Sequence, residues 1–151
     1  MGQAWQSPDL AVYCSYLADS FKRFTGQPLI PQTDQLLERL YHAPFALVSH
    51  GLGADPLFIY ANETAQELWG MEWDEMIGMP SRQTAEADEQ EERARLLTAV
   101  EQQGYIDDYQ GIRVTRFGER FRIQNCVVWN VVDGKNQRLG QAAKIDRWEW
   151  L

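Results

Sequence analysis

The apolar positions of the chain follow a helical period first and a strand period last. Leu10, Tyr13, Leu17, Phe21 and Phe24 recur at steps of three and four, with Tyr16 beside them, and predict an amphipathic helix. Ser7 is placed to cap it, Pro8 suits its first position, and Thr25-Gly26 ends it. Leu36, Leu37, Leu40 and Tyr41 predict a second, shorter helix with Thr33 as its cap. The run Phe45-Ala46-Leu47-Val48 then reads as a strand, followed by a loop over residues 49–56. Residues 57–61 are apolar without a break, the pattern of a strand covered on both faces.

Asn62 follows that strand and can cap a helix whose inner face is Ala65, Leu68 and Trp69. Gly70 breaks it, and residues 73–77 make a further short helix stopped by Gly78. Residues 85–103 are polar except for Ala94, Leu97 and Val100 on one line and Leu96 beside it, which predicts a longer surface helix ended by Gly104. From Tyr105 the period is two. Ile106, Ile112 and Val114 share one parity, with Tyr105 and Tyr109 on the other. Phe121, Ile123, Val127, Trp129 and Val131 share a parity across Asn125, opposed by Cys126 and Val128. Asp133-Gly134 then turns the chain into a last strand over residues 139–148.

Two helices, two strands, short helices, one longer helix and three strands describe an α+β domain. The expected core is a five-stranded antiparallel sheet with short helices on one face and an N-terminal helical extension. The expected division is an extension over residues 1–42 and a core domain over residues 43–151. The chain resembles a PAS domain through Tyr60-Ala61-Asn62, Leu68, Gly70, Asp74-Glu75-Met76-Ile77-Gly78, Phe117-Gly118 before Phe121, and Gly140 before Ile145-Asp146. Glu72 stands where such sequences often have a capping serine.

A more specific resemblance is to the MEKHLA family, a PAS-like domain of bacterial proteins that also ends some plant homeodomain-leucine-zipper transcription factors. It rests on Ala43-Pro44-Phe45, Ser49-His50-Gly51, Ala54-Asp55-Pro56, Pro80-Ser81-Arg82 and Glu92-Arg93-Ala94-Arg95-Leu96-Leu97. It continues through Ile106-Asp107-Asp108-Tyr109 with Gly111 and Arg113, Arg120-Phe121-Arg122-Ile123, Trp129-Asn130 and Gly140-Gln141-Ala142-Ala143. The resemblance covers nearly the whole chain and implies sensing or regulated interaction, with no agreed ligand and no catalytic residues. The homeodomain and zipper have no counterpart here, so the DNA binding of the plant relatives does not carry over.

A chain of 151 residues can bury ~70% of its unfolded surface as one domain, without metal or disulfide support. Residues 54–103 carry twelve acidic and three basic side chains within a net charge of −8, which opposes direct nucleic-acid binding. That acidic stretch reads as a solvated helix face, or as a surface that steers a basic partner. There is no signal-peptide pattern and no apolar run of membrane length, so the expected location is the cytoplasm. Cys14 and Cys126 are expected as free thiols.

The candidate chemistry is sparse. His42 and His50 offer two ligands where zinc needs three or four, so no metal site is expected. His50 reads as a hydrogen-bonded loop residue. The predicted long helix has no histidine for a haem iron, and both cysteines lie outside the helical segment where PAS-class flavin photosensors carry theirs. Haem and covalent flavin are therefore not expected, and the cofactor is left open. Asp107 and Asp108 are neighbours on a strand and point to opposite faces, so they do not form a shared acid–base pair. One of them is expected to pair with an arginine such as Arg113 or Arg122 or to take backbone N–H groups at a bulge, or both to help Arg113 orient a polar ligand group or a partner chain.

Candidate pocket residues are Phe45, Leu47 and Ile59 from the first strands, and Leu68, Trp69, Met76 and Leu97 from the helices. Ile112, Val114, Phe121, Ile123 and Trp129 join them from the later strands, with Asn62, Asp107, Asp108 and Arg113 as polar contacts. The stripe of Leu10, Tyr13, Leu17, Phe21 and Phe24 is expected to cover the outer face of its own sheet or the same surface of a second chain, as a symmetric homodimer. The expected function is a sensory or regulatory module that binds a small molecule and/or a protein partner, without catalysis. With no effector segment after residue 151, its output is expected to pass to a separate protein. The alternatives are a pure interaction module with a filled core and, with least behind it, an enzyme using Asp107 or Asp108 with His50.

Overall fold

Local signals start and stop most of the helices where the pattern places them. In the computed structural model, which describes residues 3–86 and 89–151, the Ser7 hydroxyl accepts a hydrogen bond from the Leu10 N–H at 3.3 Å and opens α1 (Pro8–Thr25). Gly26 closes α1 in the left-handed conformation, φ 77°. Asn62 caps α3 (Glu63–Trp69), and Gly70 closes it at φ 69°. Glu72 replaces the expected serine with a reciprocal arrangement. Its side chain takes the Glu75 N–H, while the Glu75 carboxylate takes the Glu72 N–H, and this opens α4 (Trp73–Met76).

Two helix starts differ from the pattern. α2 (Leu36–Tyr41) begins after Gln35 in the left-handed region, φ 53°, and Thr33 does not cap it. α5 (Gln90–Gln103) begins later than residue 85, because residues Ser81–Thr84 form a 3-10 turn; Ala87 and Asp88 lie outside the described residues.

The strands are β1 (Ala46–His50), β2 (Phe58–Ala61), β3 (Tyr105–Val114), β4 (Arg120–Val132) and β5 (Arg138–Trp150). They form one antiparallel sheet in the order β2-β1-β5-β4-β3. The β1–β2 hairpin and the C-terminal meander therefore meet where β1 pairs with β5. Leu57 stays outside β2, bridges only to Pro80, and is half-exposed.

Helices cover both faces of the sheet. Ala46 and Val48 of β1 pack with Ala65, Leu68, Trp69, Met76 and Val100 from α3, α4 and α5. The alternate residues Phe45 and Leu47 pack with Cys14, Leu17 and Phe21 of α1 on the opposite face. Leu17 and Phe21 are buried there, each worth about 1.5–3 kcal/mol. The Phe21 ring meets Trp129 edge-on at 4.9 Å, and the Trp129 Nε1–H donates to the Leu17 carbonyl at 3.1 Å. Leu10, Tyr13 and Phe24 pack at the margin of the same cluster. The stripe thus covers its own sheet, and its two central side chains are not free to face a second chain.

The later strands break their alternation. Asp108 and Asn125 both sit in the left-handed region, φ 55° and φ 53°, which short polar side chains tolerate. Past Asn125, Cys126 and Val128 join Phe121 and Ile123 on the α5 side, while Val127, Trp129 and Val131 turn to α1. The parity that unites Phe121, Ile123 and Trp129 in sequence is therefore divided between two cores.

Candidate functional site

A cavity of about 60 Å³ lies between the sheet and α5. Its apolar wall comes from Val48, Phe58, Trp69, Leu96, Ile123, Val128 and Ile145. Its polar groups are His50, Thr84, Arg93, Tyr109, Arg113 and Gln141, and Cys126 lines it too. His50, Arg93, Leu97 and Gln141 also line a neighbouring cleft of about 350 Å³, bounded by the 51–56 loop, Arg82, Glu101 and Arg138. The cavity thus adjoins the surface through shared side chains.

Irregularity in β3 brings the arginine here. Its register against β4 shifts between Ile106 and Tyr109 and again between Tyr109 and Gly111, after which Gly111 and Arg113 are buried. Gly111 has no side chain for a reason of space. A Cβ there would sit 2.5 Å from the Tyr109 hydroxyl and 2.9 Å from Arg113 Nη1. Arg113 donates through Nη1 to the Ile112 carbonyl at 2.9 Å and through Nη2 toward the Tyr109 hydroxyl at 3.4 Å. Arg93, on the buried face of α5, donates to the Ser81 hydroxyl.

Arg93 and Arg113 are 8% and 7% exposed, yet the ion pairs described for the chain include neither. Seven arginines nearer the solvent do have one, including Arg82 with Asp55 at 2.9 Å and Arg120 with Glu86 at 2.8 Å. Burial, and then the charge of Arg113, lower the Arg93 guanidinium to about 10, still protonated at neutral pH. Burial also holds His50 down to about 4, so its imidazole is neutral, with Nδ1 at 2.9 Å from the Gly51 carbonyl. Burial pushes the Cys126 thiol up to about 12, which keeps it out of the reactive thiolate form.

Among the described residues three further polar atoms are buried without a partner: the Trp69 indole nitrogen and the Gln141 Oε1, on residues that line the cavity, and the Tyr60 hydroxyl, which lies in the α1-side core. The Gln141 amide nitrogen is engaged, donating to the Leu97 carbonyl at 2.9 Å and to Asn130 Oδ1 at 3.2 Å. The lining of one small space therefore includes two buried cations outside the described ion pairs and two residues with an unpartnered polar atom. Buried polar groups are normally paired.

The family model of the MEKHLA domain matches residues 11–150. The chain belongs to the MEKHLA-domain family. Homeobox-leucine zipper protein HOX29 of Oryza sativa subsp. japonica is 22% identical over 134 residues, which are 85% of this chain and 15% of that protein. The chain thus spans about 15% of the length of this relative. Among solved structures, the PAS domain of a protein from Colwellia psychrerythraea aligns with a TM-score of 0.66 at 19% identity, over 74% of this chain and 92% of that one. An RNA-binding light-oxygen-voltage receptor aligns at 0.64 with 20% identity, over 78% of this chain and 34% of that one. A light-oxygen-voltage domain studied with a flavin analogue aligns at 0.60 with 16% identity, over 79% and 87%. These likenesses establish a PAS-like fold.

Within this MEKHLA domain, Trp69, Leu97, Ile123 and Arg113 line the cavity. Leu68, Met76 and Phe121 are buried in the same layer but away from its wall. Phe45, Leu47 and Trp129 belong to the α1 side, because β1 alternates and β4 changes parity at Asn125. Ile112 and Val114 lie out of step with Arg113 and miss the cavity; Ile59 is half-buried beside Gly51. Asn62 is fully buried in four hydrogen bonds of its own and offers nothing to a ligand. Asp107 and Asp108 are exposed at the β3 irregularity and pair with neither Arg113 nor Arg122; Arg122 faces Glu149 at 3.8 Å.

The pattern reading missed His50, Arg93, Tyr109, Cys126 and Gln141. Arg93 carried a usable signal. It stands three, four and seven residues before Leu96, Leu97 and Val100, a charge on the apolar line of α5.

Proposed function

We propose that this MEKHLA domain is a sensory module that binds a small molecule between its sheet and α5 and conveys occupancy to a protein partner. The observation that supports this is the gathering on one cavity of two buried arginines with donors to spare, Arg93 and Arg113, and of two residues with an unpartnered buried atom, Trp69 and Gln141. An unpartnered buried polar atom costs about 1–3 kcal/mol, and the cavity gathers two of them where the α1-side core holds one, on Tyr60. The ligand has few heavy atoms. Sites for drug-sized molecules run to roughly 300–1,000 Å³, so the flavin of a light-oxygen-voltage domain does not fit a space of about 60 Å³. The residues present also offer no cysteine on α3, α4 or α5 for a covalent flavin bond.

The reading is of a non-catalytic module, with its two thiols in a reducing, cytoplasmic setting. Among the described residues no helix is long and apolar enough to cross a membrane. A homodimer would use a surface other than the α1 stripe. Native mass spectrometry of gently purified protein tests the ligand. An adduct lost on denaturation is expected; a bare chain in every preparation sinks the proposal.

A further inference from the structure

We infer that the cavity takes a small organic carboxylate, its carboxylate group held between Arg93 and Arg113 and its short apolar body against Trp69, Ile123 and Val128. This rests on the reading of the cavity as a ligand site. Each guanidinium has five N–H donors in a planar fork. The described hydrogen bonds use one of these at Arg93, to Ser81, and two at Arg113, to Ile112 and Tyr109. None of the described ion pairs takes up the remaining donors, although the charge of Asp55 reaches Arg93 and favours its protonated form. Asp55, the carboxylate nearest the mouth, is engaged by Arg82 at 2.9 Å, and Glu101 by Arg138 at 3.2 Å. His50 is neutral there and adds no competing charge.

Two buried like charges without a counter-ion are a costly arrangement unless something anionic completes it. A carboxylate matches the guanidinium fork. The lining favours an organic acid over an inorganic anion, because most of the remaining wall is apolar. The volume of about 60 Å³ is several times the roughly 10–15 Å³ that one water needs on the same measure. The body is therefore a few carbons long, and any longer tail would extend past Leu97 into the adjoining cleft.

The test uses the full chain with butyrate, 1-butanol and inorganic phosphate as probes at constant ionic strength, read by melting temperature and Trp fluorescence. Butyrate is expected to raise the melting temperature and perturb the fluorescence, with 1-butanol and phosphate far weaker. Arg113→Met is expected to weaken butyrate at least roughly tenfold, and to leave the ligand-free melting temperature unchanged or higher, since it removes an uncompensated charge. Arg93→Met should do the same. Lower ligand-free stability in both variants would mark the arginines as structural groups and overturn the inference. Equal responses to butyrate and 1-butanol, or tighter phosphate, would also overturn it. If no probe acts but native mass still reveals an adduct, the carboxylate class fails and the small-molecule reading stands. A bare chain sinks both.

Discussion

Asn62→Ala should be among the most damaging single substitutions in the molecule. The Asn62 Oδ1 accepts from the Leu47 N–H at 2.9 Å and from the Ala65 N–H at 3.0 Å. Its Nδ2 donates to the Leu40 carbonyl at 3.0 Å and the Phe45 carbonyl at 2.9 Å. One side chain thus joins the end of α2, the start of β1 and the first turn of α3, with no exposure to water. Alanine would leave two buried N–H groups without acceptors, at about 1–3 kcal/mol each. The Leu40 carbonyl keeps a bond from the Ala43 N–H, so the donor side adds less. The expected loss is about 4 kcal/mol, in the exceptional range that breaking a buried network can reach. For a chain of this size it lowers the melting temperature by on the order of 10 °C. Asn62→Ser should lose about half as much, because a serine hydroxyl can still cap Ala65 but not reach Leu47. Urea unfolding with an unchanged m-value is the assay. An alanine variant within about 1 kcal/mol of wild type, or a serine variant as unstable as alanine, would refute the reasoning.

Leu17→Ala should cost about 2–5 kcal/mol by opening a cavity under α1; sedimentation of the variant should match wild type, since the stripe serves its own sheet. A shift in oligomeric state without loss of stability would contradict that placement. His50 makes stability depend on pH. The unfolded imidazole takes a proton at its ordinary 6.5, the folded one only near 4, so the stabilisation is complete above about pH 6.5 and is lost as pH falls toward 4. Between about pH 7.5 and about pH 4.5, wild type should lose about 2–3 kcal/mol more than His50→Gln; parallel losses in the two proteins would dismiss the effect.

The helices and strands were legible because their periods differ and their ends carry Ser7, Asn62, Gly26 and Gly70. The faces of the last strands were not. Strict alternation puts Ile112 and Val114 inward and joins Trp129 to Ile123. The left-handed residues Asp108 and Asn125 reset that count, and such a conformation is fixed by strand pairing more than by residue type. The site suffered most, since Tyr109, Arg113, Ile123, Cys126 and Val128 reach it only through where β3 and β4 change step. Arg93 was hidden for a different reason: a charge on an apolar line looks like noise until the helix is seen lying on the sheet.

β3 forms one border of the sheet, with β4 its only neighbour. A border strand is a template on which another chain can extend the sheet, and an irregular backbone with charged side chains disfavours that growth. Asp107 and Asp108 stand exposed where the β3 ladder is broken. Two carboxylates at a broken stretch of ladder are among the features by which a border strand resists edge-to-edge pairing.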